Sequence, residues 1–271
     1  MALSAAVDTG PGVTPTSWPA GEVFRDITRG GLAALIVGIL VGGVGARLMM
    51  RAAALLVPEA EGSFTENGNR IGDITLGGTM GLVIFGGLLV TLFLATIWVS
   101  ISPWLPGGAL AKGVLAMPIA IAFAARGLVD GRNPDFDVLG HDPGVVAVIL
   151  VLVALTAPAV ALTDAWLDRR LPHAAADDGS NPGGLYIAAS LVGAIFGGLV
   201  ILTSGGGGGQ ALQVTLLVVS LITVGWWWLR VHGATRPPLA MTIAARAVLV
   251  VGTVWGFALL APNLERALGL D

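Results

Sequence analysis

The chain has 271 residues, of which 55% are hydrophobic and 11% charged, with a formal net charge of −3 and a mean hydropathy of +0.86. This is too apolar for a water-soluble domain to hide in one core, and no loop carries the dense basic patch that nucleic acid would require. Cysteine is absent, which excludes a disulfide framework, a thiolate metal site and a cysteine nucleophile.

In chain order, residues 1–26 form an expected disordered tail. They carry no basic segment followed by an apolar one, so they do not read as a cleaved signal peptide. Seven apolar runs follow, at residues 28–57, 76–101, 108–125, 145–163, 185–203, 211–229 and 240–261. About 20 apolar helical residues cross a hydrocarbon layer of ~30 Å, and none of the runs alternates with the period of two that a barrel strand needs. The expected fold is therefore all-α: a polytopic helical membrane protein with about seven transmembrane helices over residues 27–262, a small β-hairpin in the first extracytoplasmic loop, and a short tail at 263–271.

The first run ends in its main anomaly. Seventeen apolar residues separate Arg29 from Arg47, about 25 Å of helix, which puts Arg47 at the far boundary of the hydrocarbon and Arg51 one turn beyond, on the same face. Two roles compete: long cationic side chains snorkelling to lipid phosphates, or an outer polar cluster with the carboxylates of the following loops. Snorkelling is the expectation. Gly38 and Gly42 form a separate stripe with the spacing that lets a neighbouring helix approach closely, and Gly193 and Gly197 repeat it in the fifth run.

Between the first two runs lies "GSFTENGNRIGDITLGGT". Asn67 and Gly68 are the residues of a two-residue hairpin turn, which would set Glu66 opposite Asn69, Thr65 opposite Arg70 and Phe64 opposite Ile71. Asp73 or Thr75 is placed to cap the next helix. The loop between runs three and four, "RGLVDGRNPDFDVLGHDPG", is acidic, but its spacing fits neither a calcium loop nor a zinc pattern. The outer polar cluster on this reading comprises Arg47, Arg51, Glu66, Arg70, Asp73, Asp135 and Asp137. No metal and no cofactor are expected.

The remaining runs lack ionisable residues at depth. Lys112, Asp164, Asp168 and Arg246 all fall near run ends, and "SGGGGGQ" at 204–210 lacks the Lys and Ser or Thr of a phosphate-binding loop. Coupled carriers and intramembrane proteases place carboxylates, broken helices or a nucleophile and base within the membrane. The centre of the bundle is expected to be dry and inert.

With seven runs, the N-terminal face carries eight Lys or Arg and the other six, which favours a cytoplasmic N-terminus. Tryptophans 18, 98, 104, 166 and 226–228 gather at that same face, as an interfacial belt would. Arg outnumbers Lys thirteen to one and Ala, Gly and Val dominate, a bias of high-GC bacteria, so a bacterial plasma membrane is the expected location. The function expected is non-catalytic: packing against, assembling with or regulating another membrane protein, or self-association, in contact with the lipid bilayer. The alternative is an uncoupled permease or channel for a small anionic or neutral solute, with Arg47 and Arg51 at its outer mouth.

Overall fold

A computed structural model describes residues 18–66, 68, 70–73, 76–81, 83–84, 87–125, 128–130, 132–174, 182–204 and 209–270. Nine helices run through them: α1 (Pro19–Leu56), α2 (Leu76–Gly81), α3 (Gly87–Ile101), α4 (Ala109–Ala125), α5 (Pro134–Val138), α6 (Pro143–Asp168), α7 (Gly183–Thr203), α8 (Gln210–Val231) and α9 (Leu239–Ala267). Five of them, α1, α6, α7, α8 and α9, are long and apolar enough to cross a membrane, so the chain is an all-α, multi-pass membrane protein.

Helix α1 is the axis. It starts at Pro19, upstream of the predicted start, because proline at the first helical position is preset for the helix and Glu22 lies in the first turn, near the positive end of the helix dipole. Residues 19–26 of the expected tail are thus helical, while 1–17 lie outside the described residues. At the other end of the chain α9 continues to Ala267, so the expected tail from 263 begins as helix.

The middle of α1, Gly38–Gly45, is wound as a wider π-helix. Its glycines let α3 in: a Cβ on Gly38 would fall 2.2 Å from the Thr91 hydroxyl and 2.9 Å from its Cα, and one on Gly42 would fall 3.3 Å from the Gly87 Cα. At Gly38 and Gly42 the neighbouring backbone is that of α3. A second close contact joins α4 to α6, where a Cβ on Gly113 would lie 2.5 Å from the Cα of Pro158. Thr91 and Thr156, buried between these helices, satisfy their hydroxyls on carbonyls of their own helices, at Gly87 and Val153, as a water-free interior requires.

Three of the belt tryptophans behave differently from the expectation. Trp98, Trp104 and Trp226 are buried in the largest apolar cluster with Ile101, Val219 and Leu249, and the Trp104 indole N–H donates to Thr223 at 2.8 Å. Only Trp166 and Trp228 of the described belt residues are exposed.

The hairpin is also different. Asn67 and Asn69 lie outside the described residues, and the pairing that is described is one antiparallel bridge, Phe64 with Arg70, a residue out of register from the expected Phe64 with Ile71. Ile71 is buried against Ala54 and Ala60, and it exchanges backbone hydrogen bonds with Gly62 and Ser63. Burying Ile71 under the end of α1 outweighs the pairing that a two-residue turn would dictate.

Because Gly38 and Gly113 each meet backbone, replacing either with alanine should lower the thermal unfolding temperature, with a loss of about 1–3 kcal/mol typical of overpacking. Gly193→Ala, where a Cβ would meet nothing within 4 Å, should be neutral. Equal melting temperatures for all three variants in one detergent would contradict these packing assignments.

Candidate functional site

The seven residues of the expected outer cluster are engaged in local contacts on the first loop and α5. Arg51 donates to Glu61 at 2.9 Å and, at 3.4 Å, to the carbonyl of Gly72. Arg70 pairs with Asp73 at 3.3 Å, and Asp135 accepts from the backbone N–H of Glu66 at 2.7 Å, tying the first loop to α5. Asp135 is positioned by its own N–H, which caps onto Asn133 at the start of α5. Asp137 lies 3.5 Å from His141. These pairs are solvent-exposed and contribute about 0–1 kcal/mol each.

Arg47 is the exception. It is 4% exposed, folded against protein where the sequence suggests a side chain extended to phosphates. Its guanidinium reaches the carbonyl of Asp73 only at 3.5 Å and the sulfur of Met50 at 3.6 Å, and its Nε has no partner. Among the described residues no carboxylate stands within 4 Å of it. A buried cation held this weakly costs stability.

Of the glycines expected to pack, Gly197 meets Thr96 at ordinary contact distance, 3.4 Å, and Gly193 meets nothing. Helix α7 is pinned at its base, where the Ser190 hydroxyl donates to the carbonyl of Phe24 at 3.1 Å and the Tyr186 hydroxyl to that of Pro172 at 2.9 Å. Beyond that, residues 191–196, 198 and 199 are exposed. The buried positions Gly183, Tyr186 and Ser190 follow one another at three and four residues and Val200 comes ten further on; Gly193 and Gly197 continue the same spacing between Ser190 and Val200. Glycine there leaves the stripe open.

A much denser arrangement lies on the N-terminal face. Arg25, 2% exposed, turns its fork onto the C-terminal end of α6: it donates to the Asp168 carboxylate at 2.9 Å and to the carbonyls of Asp168, Leu171 and Pro172 at 2.7, 3.0 and 3.1 Å. The Asp168 carbonyl is orphaned by the helix end and lies at the negative pole of its dipole, while those of Leu171 and Pro172 belong to the loop that follows. One turn on, Arg29 donates to Asp164 at 2.7 Å and pairs with Asp168 and, at 3.2 Å, with Asp26. Asp26 in turn accepts from Arg230 at 2.7 Å, which lies 6.0 Å from the centre of the Trp226 ring. Glu22 receives the N–H of Ala174 at 2.7 Å and stands 3.2 Å from His173. Helices α1, α6 and α8 are joined here by charge.

Two cavities open around this network. One, about 250 Å³, lies between α1, α6 and α8 and is lined by Asp26, Arg29, Lys112, Trp226 and Arg230. The other, about 240 Å³, lies beneath the start of α4 and shares Arg29, Lys112 and Asp164 with the first. Neither includes Arg47 or Arg51. Sequence reasoning treated these rim charges as helix-end residues and missed the site. The signal was present in two matched spacings, Arg25 with Arg29 and Asp164 with Asp168, each four apart and so on one face of its helix. Among the described residues no group of three His, Asp or Glu is arranged to hold a metal ion.

The two buried arginines should respond oppositely to removal of charge. Arg25→Met strands the carbonyls of Asp168 and Leu171 and leaves Asp168 to Arg29 alone, and a loss of about 3–5 kcal/mol is expected. Arg47→Met removes an uncompensated buried charge and should leave the melting temperature unchanged or raised. A comparable loss in both variants would show that Arg47 is well paired. No protein-family model, curated protein or solved structure matches this chain.

Proposed function

We propose that this is a non-catalytic protein of a bacterial plasma membrane that acts by packing laterally against another membrane protein, or a second copy of itself, through helix α7. The observation that supports it most directly is the open stripe at Gly193: glycine sits where the helix faces the bundle, nothing fills the space, and residues on every side of that level are exposed. Small residues are what close helix contacts in lipid require, since lipid gives no hydrophobic drive for helices to associate. Of the five long helices, α7 is the least covered. The permease reading needs a water-filled path to Arg47, and neither cavity includes that side chain.

The topology we propose has seven spans, with α3 and α4 as the shorter two and α2 leading into α3. The N-terminus is cytoplasmic, so the networked arginines and Lys112 satisfy the positive-inside preference. Reporter fusions after residues 67, 138 and 207 should then all report the outer compartment, and a cytoplasmic signal from any one of them would rule out the arrangement.

For the lateral contact, Gly193→Leu should fill the stripe while the fold persists. Wild-type protein crosslinked in its native membrane and extracted in mild detergent is expected to run as a larger assembly, and Gly193→Leu as a smaller one. A wild-type chain recovered only as a solitary species would overturn the reading.

A further inference from the structure

Leu239, Ile243, Arg246, Val250, Val254 and Phe257 follow one another at three or four residues along α9 and are all exposed, which sets them on a single face. All but one are apolar, as a face in contact with lipid should be. The exception, Arg246, makes a single side-chain hydrogen bond among the described residues, from its Nε to the carbonyl of Trp104 at 2.9 Å. That acceptor is rigidly held: Trp104 is 1% exposed, and its indole N–H is bonded to Thr223. The guanidinium is therefore fixed at its base, while the two terminal nitrogens of an exposed side chain have no acceptor. Arg25, Arg29 and Arg230 each pair with a carboxylate inside the rim; Arg246, on the outside of the bundle, pairs with none of the described ones.

Its level follows from the helices beside it. Arg29 ends the apolar part of α1, and the next residue, Gly30, lies against Val99 near the end of α3, a Cβ there falling 2.8 Å from the valine Cγ2. Trp104 is in the turn that follows α3. A helical side chain leans toward the N-terminus of its helix, and in α9 that end lies on this same side. The guanidinium thus stands at the boundary of the hydrocarbon, level with Arg29, where lipid phosphates lie. We propose that Arg246 binds the phosphodiester of an anionic phospholipid, whose acyl chains run along the exposed face of α9. The guanidinium fork matches two phosphate oxygens. With no protein acid to neutralise it, it favours a lipid of net negative charge over a zwitterionic one, whose own ammonium offsets the phosphate. A free-swinging arginine would reach any headgroup; the bond to Trp104 makes this one a site. Free phosphate shares the chemistry, but it would have to leave water to lie beside Ile243 and Val250, where a phospholipid already has its chains.

The full chain, purified in zwitterionic detergent, is titrated with short-chain phosphatidylglycerol, with phosphatidylcholine of equal chain length as the comparator, and binding is read by calorimetry. Saturable binding of phosphatidylglycerol, tighter than that of phosphatidylcholine, is expected. Arg246→Gln should weaken it about tenfold or more, the loss of charged hydrogen bonds. Ile243→Glu, at an exposed position three residues before Arg246, keeps the arginine but supplies the missing carboxylate, and should weaken binding as well; it decides the matter if Arg246→Gln does not fold. Arg236→Gln, which removes another exposed cation of the same rim, should bind as wild type does. Equal weakening by Arg236→Gln would show diffuse surface charge and overturn the site, as would wild-type affinity in both Arg246→Gln and Ile243→Glu. Inorganic phosphate should not compete at the concentration of the lipid; equal competition would overturn the headgroup assignment in favour of a free ion. Failure of phosphatidylglycerol to bind overturns the proposal, and a membrane protein recovered with the wild type but not with Arg246→Gln then assigns the guanidinium to a partner's carboxylate.

Discussion

Everything in this molecule is arranged around one helix that is too long for its membrane. At 1.5 Å per residue the 38 residues of α1 extend about 57 Å, against a hydrocarbon layer of ~30 Å. The apolar part between Arg29 and Arg47 fills that layer, and both ends overhang it with arginines one helical turn apart, Arg25 with Arg29 and Arg47 with Arg51. The apolar part can pack only by close contact, since lipid offers helices no hydrophobic advantage over one another. Hence the glycines at 38 and 42, which bring the backbone of α3 to within contact of α1.

The two overhangs are treated unequally. On the N-terminal side every guanidinium of α1 finds carboxylates, and Arg25 also closes the end of α6, so one residue pairs with Asp168, satisfies the carbonyl that the helix leaves exposed there and holds the loop that follows through Leu171. Buried charge is tolerated there because it is fully hydrogen-bonded. On the other side Arg51 has an exposed partner of small value, while Arg47 is buried with little. Charge pairing is therefore concentrated at the N-terminal rim, while the cap of first loop and α5 is held by exposed pairs and by apolar burial, Ile71 against Ala54 and Ala60 and Phe136 of α5 against Ala53, Val146 and Ile149.

How far the sequence revealed this depends on the kind of interaction. Five long apolar helices were readable because length and hydropathy suffice for a helix in lipid, and the close approach at Gly38 because spacing four apart defines a face. The hairpin register was not readable, because it was decided by the distant partners of Ile71, Ala54 and Ala60, rather than by the turn residues. Trp98, Trp104 and Trp226 read as a belt because composition does not distinguish a ring facing headgroups from one facing Ile101 and Leu249. The charged crevice escaped because its members come from α1, α4, α6 and α8, and only the fold brings Arg29, Lys112 and Asp164 into a common wall.

The glycine stripes of α1 and α7 show what the pattern alone omits. Both have small residues four apart on an inward face, yet Gly38 is in contact with Thr91 and Gly193 with nothing. The difference lies in how each helix is held. Helix α1 is gripped along its length by α3, α6 and α7, whereas α7 is fastened at its base, through Ser190 to Phe24 and through Tyr186 to Pro172. The Pro172 carbonyl that receives Tyr186 also receives Arg25, so the anchor of α7 and the clamp on α6 meet on one backbone atom. The placement of the open face thus depends on the same ion network that shapes the crevice: loosening Arg25 would release the end of α6, the loop after it and the foot of α7 together.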